Sequence, residues 1–267
     1  MKRVALKFAY DGTRFAGYAR QPNLLTVEGE LTKALKRVKA IDTLESANFQ
    51  SASRTDKGVS AIGNVCTFNT NFSLEVLPGA VNSKLKSVWI WAAREVADDF
   101  SPRKAILRTY NYFLPKNDLD VREMKQPASL FMGEHDFKNF CKRDQGKATK
   151  SKLDALQVEE TASFIKFTFI AKSFLWRQVR KIVGALVEVG VGKVNKESIE
   201  NALSKPNQRI DFETAPPEGL ILSNVQYDFE FFINEKAKSK IILEVDEQIK
   251  KKEIDLLIHN SIKKGIR

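Results

Sequence analysis

The stretch MKRVALKFAY, residues 1–10, decides the first element of the fold. Val4, Leu6, Phe8 and Tyr10 alternate with charged and small residues. This alternation predicts a strand with one buried face. A secretory signal would need an unbroken apolar stretch, and a lysine interrupts this one, so we expect a strand rather than a signal peptide.

Outward from this strand, the hydrophobic period changes repeatedly between that of a helix and that of a strand. We predict helices over 27–41, near 78–85, over 174–190 and from 196, and strands near 61–69, 88–97, 108–114, 155–161, 164–171 and 220–230. Thr26 and Asn195 are expected to cap the helices that follow them. The polar stretch 115–126 is interpreted as a connection, and the tail after residue 232 as a short amphipathic helix.

The two parts of the chain share this rhythm without a close sequence repeat. We therefore expect an α+β fold in which two similar halves, RRM-like or ferredoxin-like, join edge to edge. The halves would form a central, mostly antiparallel sheet with a cleft between them. The expected division is 1–105 for a catalytic half and 106–267 for the half that completes the cleft.

The composition describes a folded, basic protein. Hydrophobic residues make up 43% of the chain and include eighteen Phe, enough to fill a core, which excludes a chain that is disordered throughout. The formal charge is +11, from 44 Lys+Arg against 33 Asp+Glu. Such a field attracts polyanions, nucleic acid first and an anionic membrane surface second, and predicts binding that weakens with salt. A lysine-rich surface without a specific partner fits the charge equally well.

Few residues are suited to metal or disulfide chemistry. The chain has two cysteines, Cys66 and Cys141, and two histidines, His135 and His259, with no close spacing. We expect no disulfide framework, no metal site and a reducing, cytoplasmic location. No apolar run is long enough to span a bilayer, so we expect no membrane partner.

The hexapeptide SRTDKG, residues 53–58, places Asp56 between Arg54 and Lys57. Opposite charges favour the ionised carboxylate, which suits a nucleophile, a base or an electrostatic stabiliser. Gly58 gives the backbone freedom for a tight turn that presents the acid. The alternative is an ordinary turn in which the carboxylate caps backbone N–H groups. The hexapeptide alone leaves both interpretations open.

Several longer blocks carry a family resemblance. They are YDGTRFAGY at 10–18, TVEGEL at 26–31, SRTDKGVSA at 53–61, DDFSPRKAILRTYNYFL at 98–114, GEHDFKNFCK at 133–142, FLWRQVRKIVGALVEVGVGK at 174–193 and APPEGLILSNVQY at 215–227. In this order and spacing, the sequence resembles tRNA pseudouridine synthases of the TruA type.

The resemblance implies an isomerase that acts on tRNA. Such an enzyme breaks the N1–C1′ bond of a uridine, turns the base and rejoins it through C5, without a metal or an organic cofactor. The family is homodimeric and typically acts in the anticodon stem-loop. Asp56 matches its catalytic aspartate, the nucleophile in most accounts.

The resemblance also implies substrate-binding residues. Tyr110 matches a tyrosine that stacks near the target base, and Arg180 an arginine that pairs with the catalytic carboxylate. Arg54 would position RNA, and Leu222 would line the pocket. From the residues alone, Tyr110 and Leu222 could equally be core, and Arg180 could lie on a solvated helix face.

Some positions depart from the family pattern. Ser53 stands where glycine is frequent, Ser60 where histidine is frequent, and 18–20 and 176–178 also differ. These departures concern the position of the substrate rather than the reaction.

Two other functions are compatible with the charge. A non-catalytic RNA-binding protein would need RNP-type aromatic patterns, which are not evident. A metal-dependent nuclease would need clustered carboxylates, whereas Asp56 has cations as its neighbours in the sequence.

Overall fold

The computed structural model describes residues 1–143 and 146–266. Its strands are β1 Lys2–Tyr10, β2 Gln50–Ser51, β3 Ser60–Thr70, β4 Val88–Val96, β5 Leu107–Pro115, β6 Gly133–Asp136, β7 Lys150–Leu153, β8 Ala155–Glu160, β9 Phe164–Ala171, β10 Leu220–Gln226 and β11 Phe232–Ile233. Its α-helices are α1 Val27–Arg37, α2 Leu77–Asn82, α3 Val121–Ala128, α4 Gln178–Gly190, α5 Lys196–Ser204 and α6 Glu235–Ile266.

Nine strands form one continuous sheet. Their order is β11-β4-β1-β3-β10-β5-β9-β8, with β2 paired to β3 off this path, while β6 and β7 form a separate hairpin. All pairs in the large sheet are antiparallel except β3 with β10, where Ser60 lies opposite Ile221. This confirms the predicted α+β class with a central, mostly antiparallel sheet.

The predicted caps form as the sequence indicates. Thr26 accepts a hydrogen bond from the N–H of Gly29 at the start of α1, and Asn195 accepts one from Ser198 at the start of α5. Each cap satisfies an N–H group that has no partner within its own helix. Helices α1 and α5 therefore begin directly after a residue whose side-chain oxygen caps the first turn.

The stretch 115–126 is not only a connection, as the sequence suggested. It contains the start of α3, which Asp120 caps through the N–H groups of Arg122 and Glu123. Val121 and Met124 are buried, three residues apart, within an otherwise charged sequence. The prediction was wrong because four residues at helical spacing, Val121, Met124, Pro127 and Ala128, bury one side of this short helix although its sequence is mostly polar.

The tail is a single long helix rather than a short one. Helix α6 has 32 residues, of which Ala237 is the buried one, and most of its apolar side chains are exposed. Before it, β11 pairs with β4, so the end of the chain returns to the first strands of the fold. Among the described residues, no helix combines the length and apolar character needed to cross a membrane.

One face of strands β5 and β9 is buried and the other is not. Along β5, Tyr110 and Tyr112 are buried, whereas Asn111 between them is half-buried and Phe113 is 45% exposed. Strand β9 shows the same alternation over its eight residues. The buried face carries the aromatic core, and it also contributes a wall of the site.

Candidate active site

Asp56 lies in the loop between β2 and β3. The loop turns tightly, because the N–H of Val59 donates to the carbonyl of Asp56 at 3.2 Å. Gly58 has a φ of +84°, and a Cβ there would lie 3.0 Å from Cγ of Pro217. Both the backbone conformation and the close approach therefore favour glycine at this position.

Partly buried hydrogen bonds hold this loop against the sheet. The Tyr10 hydroxyl lies 2.8 Å from Oγ1 of Thr55, and the N–H of Tyr18 donates to the Thr55 carbonyl at 3.1 Å. Nδ2 of Asn64 donates to the carbonyl of Ser53 at 3.0 Å. The residues on the N-terminal side of Asp56 are thus fixed to β1, β3 and the loop after β1.

Three side chains from one segment approach the Asp56 carboxylate. Nη1 of Arg180 donates to Oδ2 at 3.0 Å, and Nε1 of Trp176 donates to Oδ1 at 3.0 Å. Nε of Arg177 lies 3.8 Å from Oδ2. The negative charge is therefore compensated from the start of α4 and the loop before it.

The sequence neighbours of Asp56 do not provide this compensation. Arg54 and Lys57 are exposed, and in the part of the chain that the structure describes neither forms an ion pair with the carboxylate. The expectation that these two cations hold the acid was wrong. A turn directs adjacent side chains apart, so closeness in sequence does not ensure contact.

Arg180 is anchored at two points. Its side chain is 11% exposed, and its Nε donates to the carbonyl of Ala215 at 2.7 Å. The N–H of Ala215 in turn donates to the Arg180 carbonyl at 3.1 Å. The guanidinium thus bridges a fixed main-chain oxygen and the Asp56 carboxylate, a rigid charge-assisted contact.

Tyr110 forms part of the wall of the same cleft. It is 9% exposed, and its ring packs edge-on against Phe174, with 5.0 Å between centroids. Burial raises the pKa of its hydroxyl to about 12, so the group is protonated at neutral pH.

Leu222 and Leu220 differ in their relation to the cleft. Leu222 lies opposite Tyr110 in the β10–β5 register and is completely buried. Leu220 is the β10 residue that lines the cavity. The structure thus places Leu222 in the core beside Tyr110 rather than on the surface of the cleft.

The cleft has a volume of about 700 Å³ and is lined by residues from distant parts of the chain, between Ala16 and Leu220. Arg54, Asp56, Tyr110, Trp176 and Arg180 line it. Further cations complete its rim: Lys57, Lys142, Lys147 and Arg177. A concave, basic site with one fixed carboxylate is suited to an anionic polymer that carries a reactive base.

Side chains of the metal-ligating types do not cluster within residues 1–143 and 146–266. No group of three or more His, Cys, Asp or Glu side chains in these ranges could hold an ion. Cys141 lines the cleft, but burial raises the pKa of its thiol, so the thiolate is disfavoured at neutral pH.

The structure brings four of the five predicted site residues to the cleft surface: Asp56, Arg180, Tyr110 and Arg54. Leu222 lies behind it. Sequence reasoning missed the contact of Trp176 with Asp56, since it noted this residue only as a departure from a pattern. The available signal was its place in the block at 174–193, only four residues before Arg180.

Residues 128–228 match the family model described as tRNA pseudouridine synthase, a class of isomerases. The chain is 43% identical over 253 residues to tRNA pseudouridine synthase A of Pyrococcus abyssi, covering 94% of each chain. It is 38% identical over 277 residues to the protein of that name from Methanosphaera stadtmanae, covering 99% of this chain and 96% of the other. With this identity over almost its full length, the chain belongs to the family of tRNA pseudouridine synthase A.

Solved structures give a much weaker match. The crystal structure of the archaeal box H/ACA sRNP Nop10-Cbf5 complex aligns with 69% of this chain and 43% of that chain, at 10% identity and a TM-score of 0.35. The family assignment therefore depends on the sequence relatives.

Proposed function

We propose that this protein converts uridine to pseudouridine in tRNA, with Asp56 as the catalytic nucleophile. The observation that carries the proposal is the Asp56 carboxylate, held at 3.0 Å by the largely buried Arg180 in a basic cleft of about 700 Å³. The family assignment supplies the reaction, and this carboxylate is a suitable group to perform it.

The reaction rearranges bonds without consuming a co-reactant. The N1–C1′ bond of the uridine breaks, the base turns, and a C5–C1′ bond forms. C5 loses its proton and N1 gains one, so the atoms balance without redox chemistry. As a nucleophile, the ionised carboxylate would form a bond to the substrate while the N1–C1′ bond breaks, and this bond would break again as the C5–C1′ bond is completed.

The remaining residues bind the everted nucleotide. Tyr110 presents an aromatic ring with a protonated hydroxyl group in the cleft wall, and a uracil removed from its stack can pack on this ring. Arg54 is exposed at the cleft and can contact a phosphate or fill the space that the flipped base leaves. Arg180 fixes the carboxylate, and the buried Leu222 lies beside Tyr110 on the neighbouring strand.

The proposed target is a uridine in the anticodon stem-loop, as the family resemblance implies. Unmodified tRNA transcripts incubated with the protein should give pseudouridine there, mapped by carbodiimide-dependent primer extension. Modification confined to another part of the tRNA would contradict the location but not the reaction. RNA binding without any pseudouridine would favour a non-catalytic RNA-binding protein.

Asp56→Asn is the direct test of the nucleophile. The amide has nearly the same shape but no negative charge, so pseudouridine formation should be lost while tRNA binding is retained. Asp99→Asn is the matched control, because Asp99 is exposed and does not line the cleft. An Asp56→Asn protein that retains wild-type rates would disprove the role of this carboxylate.

We further propose that the chain acts as two halves, 1–105 and 106–267, and as a homodimer. The division is supported by the origin of the cleft, which takes Asp56 from one half and Tyr110 and Arg180 from the other. A cytoplasmic location is proposed as well, because Cys66 and Cys141 are both free and buried.

The half-exposed face of the sheet supports the dimer. Phe113 and Phe164 lie on this face at 45% and 49% exposure. A second copy packed on this face would cover the exposed aromatic rings.

A further inference from the structure

Both oxygens of the Asp56 carboxylate are held by one short segment of the chain. Arg180 holds Oδ2 from the first turn of α4, and the indole N–H of Trp176 holds Oδ1 at 3.0 Å from the loop just before it. A single contact at Oδ2 would leave the carboxylate free to rotate about its Cβ–Cγ bond. The second contact removes that freedom.

Trp176 is not a core residue that meets the acid by chance. Its side chain is 44% exposed and lines the cleft. The ammonium of Lys142 lies 3.9 Å from the centre of the indole ring, and the N–H of Lys142 donates to the Trp176 carbonyl at 2.7 Å. A cation–π contact and a main-chain hydrogen bond therefore fix an indole that is otherwise open to solvent.

The backbone next to Trp176 also has an unusual conformation. Arg177 has a φ of +62°, in the left-handed region that residues other than glycine seldom adopt. This turn separates Trp176 from the helix and allows residues 176 and 180 to reach the same carboxylate. Left-handed residues at functional sites commonly store this kind of local strain.

The other two tryptophans show that an indole in this fold does not need an acidic partner. Nε1 of Trp91 donates to the main-chain carbonyl of Ile62 at 2.8 Å. Nε1 of Trp89 is buried and has no partner among the described residues. Of the three tryptophans, all within the described ranges, Trp176 is the one whose N–H contacts a carboxylate.

We infer that Trp176 is a positioning residue for the reaction. Its indole N–H fixes Oδ1 while Arg180 fixes Oδ2, so the carboxylate presents one orientation to the ribose of the everted uridine. This inference depends on the proposed function, because the orientation matters for the rate when Asp56 reacts with the sugar or base.

The test compares Trp176→Phe with Trp176→His. Phenylalanine retains an aromatic ring and removes the N–H. Histidine restores it, because Nε2 of an imidazole is as many bonds from Cβ as Nε1 of an indole. Trp91→Phe is the matched control, since it removes an indole N–H that donates to a main-chain carbonyl outside the cleft.

Single-turnover rates and tRNA dissociation constants are measured separately with unmodified transcripts. A hydrogen bond to a charged group supports an expected rate loss of about 10- to 100-fold for Trp176→Phe. The dissociation constant should be unchanged, and Trp176→His should recover most of the rate. A wild-type rate in Trp176→Phe, a rate in Trp176→His as low as in Trp176→Phe, or weaker binding without a slower reaction would each overturn the inference.

A second measurement does not depend on activity. In ¹H–¹⁵N spectra, the indole signal that disappears in Trp176→Phe should move in Asp56→Asn, while the signals of Trp89 and Trp91 stay in place. If that signal does not move, the contact is absent and the positioning role fails. If it moves but the wild-type protein makes no pseudouridine, the proposed function fails while the contact is established.

Discussion

At the scale of single residues, the site depends on a contact between Asp56 and Arg180, which are 124 residues apart in the sequence. The guanidinium is largely buried and has a second fixed partner, the carbonyl of Ala215. Such an arrangement differs from a surface ion pair, which contributes only about 0–1 kcal/mol to the free energy of unfolding. The geometry of the arginine fork matters here as much as its charge.

Arg180→Lys tests this distinction. Lysine retains the charge but cannot bridge Ala215 and Asp56 with a planar fork, so the single-turnover rate should fall about 10- to 100-fold. The free energy of unfolding should fall by about 1 kcal/mol for the lost main-chain contact. Arg209→Lys, at a side chain that is 80% exposed, is the control and should match the wild type. A fully active Arg180→Lys protein would show that charge alone suffices.

Sequence reasoning identified the acid but not all of its surroundings. The family blocks indicated Asp56, Tyr110 and Arg180, and the structure brings these three together. The local pattern of Arg54 and Lys57 indicated the wrong cations, because contact depends on how the turn directs each side chain. The role of Trp176 was hidden since its partner is 120 residues away in the sequence.

At the scale of elements, α4 is the part on which the site depends most. It carries Arg180, and at Gly184 it passes very close to the segment that contains Ala215. A Cβ at Gly184 would lie 1.9 Å from the Glu213 carbonyl oxygen, which is far too close. A residue without a side chain therefore lets the helix and this segment pack together and hold the arginine.

Gly184→Ala should accordingly destabilise the fold and slow the reaction together. The added methyl group requires the main chain at 213–215 to move, with an expected loss of about 1–3 kcal/mol in the free energy of unfolding. Gly79→Ala in α2 is the control, because nothing lies within 4 Å of its added Cβ. That variant should gain up to about 1 kcal/mol from helix propensity. Chemical denaturation gives the free energy of unfolding of both variants, and single-turnover assays give their rates. Equal denaturation midpoints for the two variants would refute the packing argument.

Elements were predictable where the hydrophobic period was clear and caps were present. Helices α1 and α5 begin at the residues that their caps indicated. Helix α3 was missed because its sequence, VREMKQPA, is mostly polar and contains a proline. Helix α4 was predicted to begin at residue 174, but the left-handed Arg177 delays it to Gln178. Periodicity does not reveal a single unusual φ angle.

At the scale of the whole molecule, the half-exposed face of the sheet predicts how copies associate. Phe113→Glu would place a charge in the proposed contact and should weaken the dimer at least about tenfold. Analytical ultracentrifugation would then give a mass near the 30.2 kDa of one chain at concentrations where the wild type has twice that mass.

The control for this prediction is Val76→Glu, at a residue that is 57% exposed at the start of α2. This variant should remain a dimer. A wild-type protein that is monomeric at all concentrations would contradict the proposed assembly. A dimer unaffected by Phe113→Glu would contradict the proposed face.

The overall architecture was predictable because alternation and helical period both pointed to α+β halves. The long α6 was not, because its apolar residues Ile254, Leu257 and Ile258 are exposed and do not define one packed face. Whether such a helix is packed or exposed depends on which apolar surfaces the rest of the fold leaves uncovered.

The parallel pairing of β3 with β10 has a consequence for synthesis on the ribosome. Ser60 of β3 lies opposite Ile221 of β10, so the middle of the sheet can form only after β10 has been translated, long after β3. Contacts between such distant parts of a chain are slow to form. A nascent chain that has not yet released residues 220–226 from the exit tunnel therefore lacks its central seam, and a stop codon before this point would yield no working enzyme.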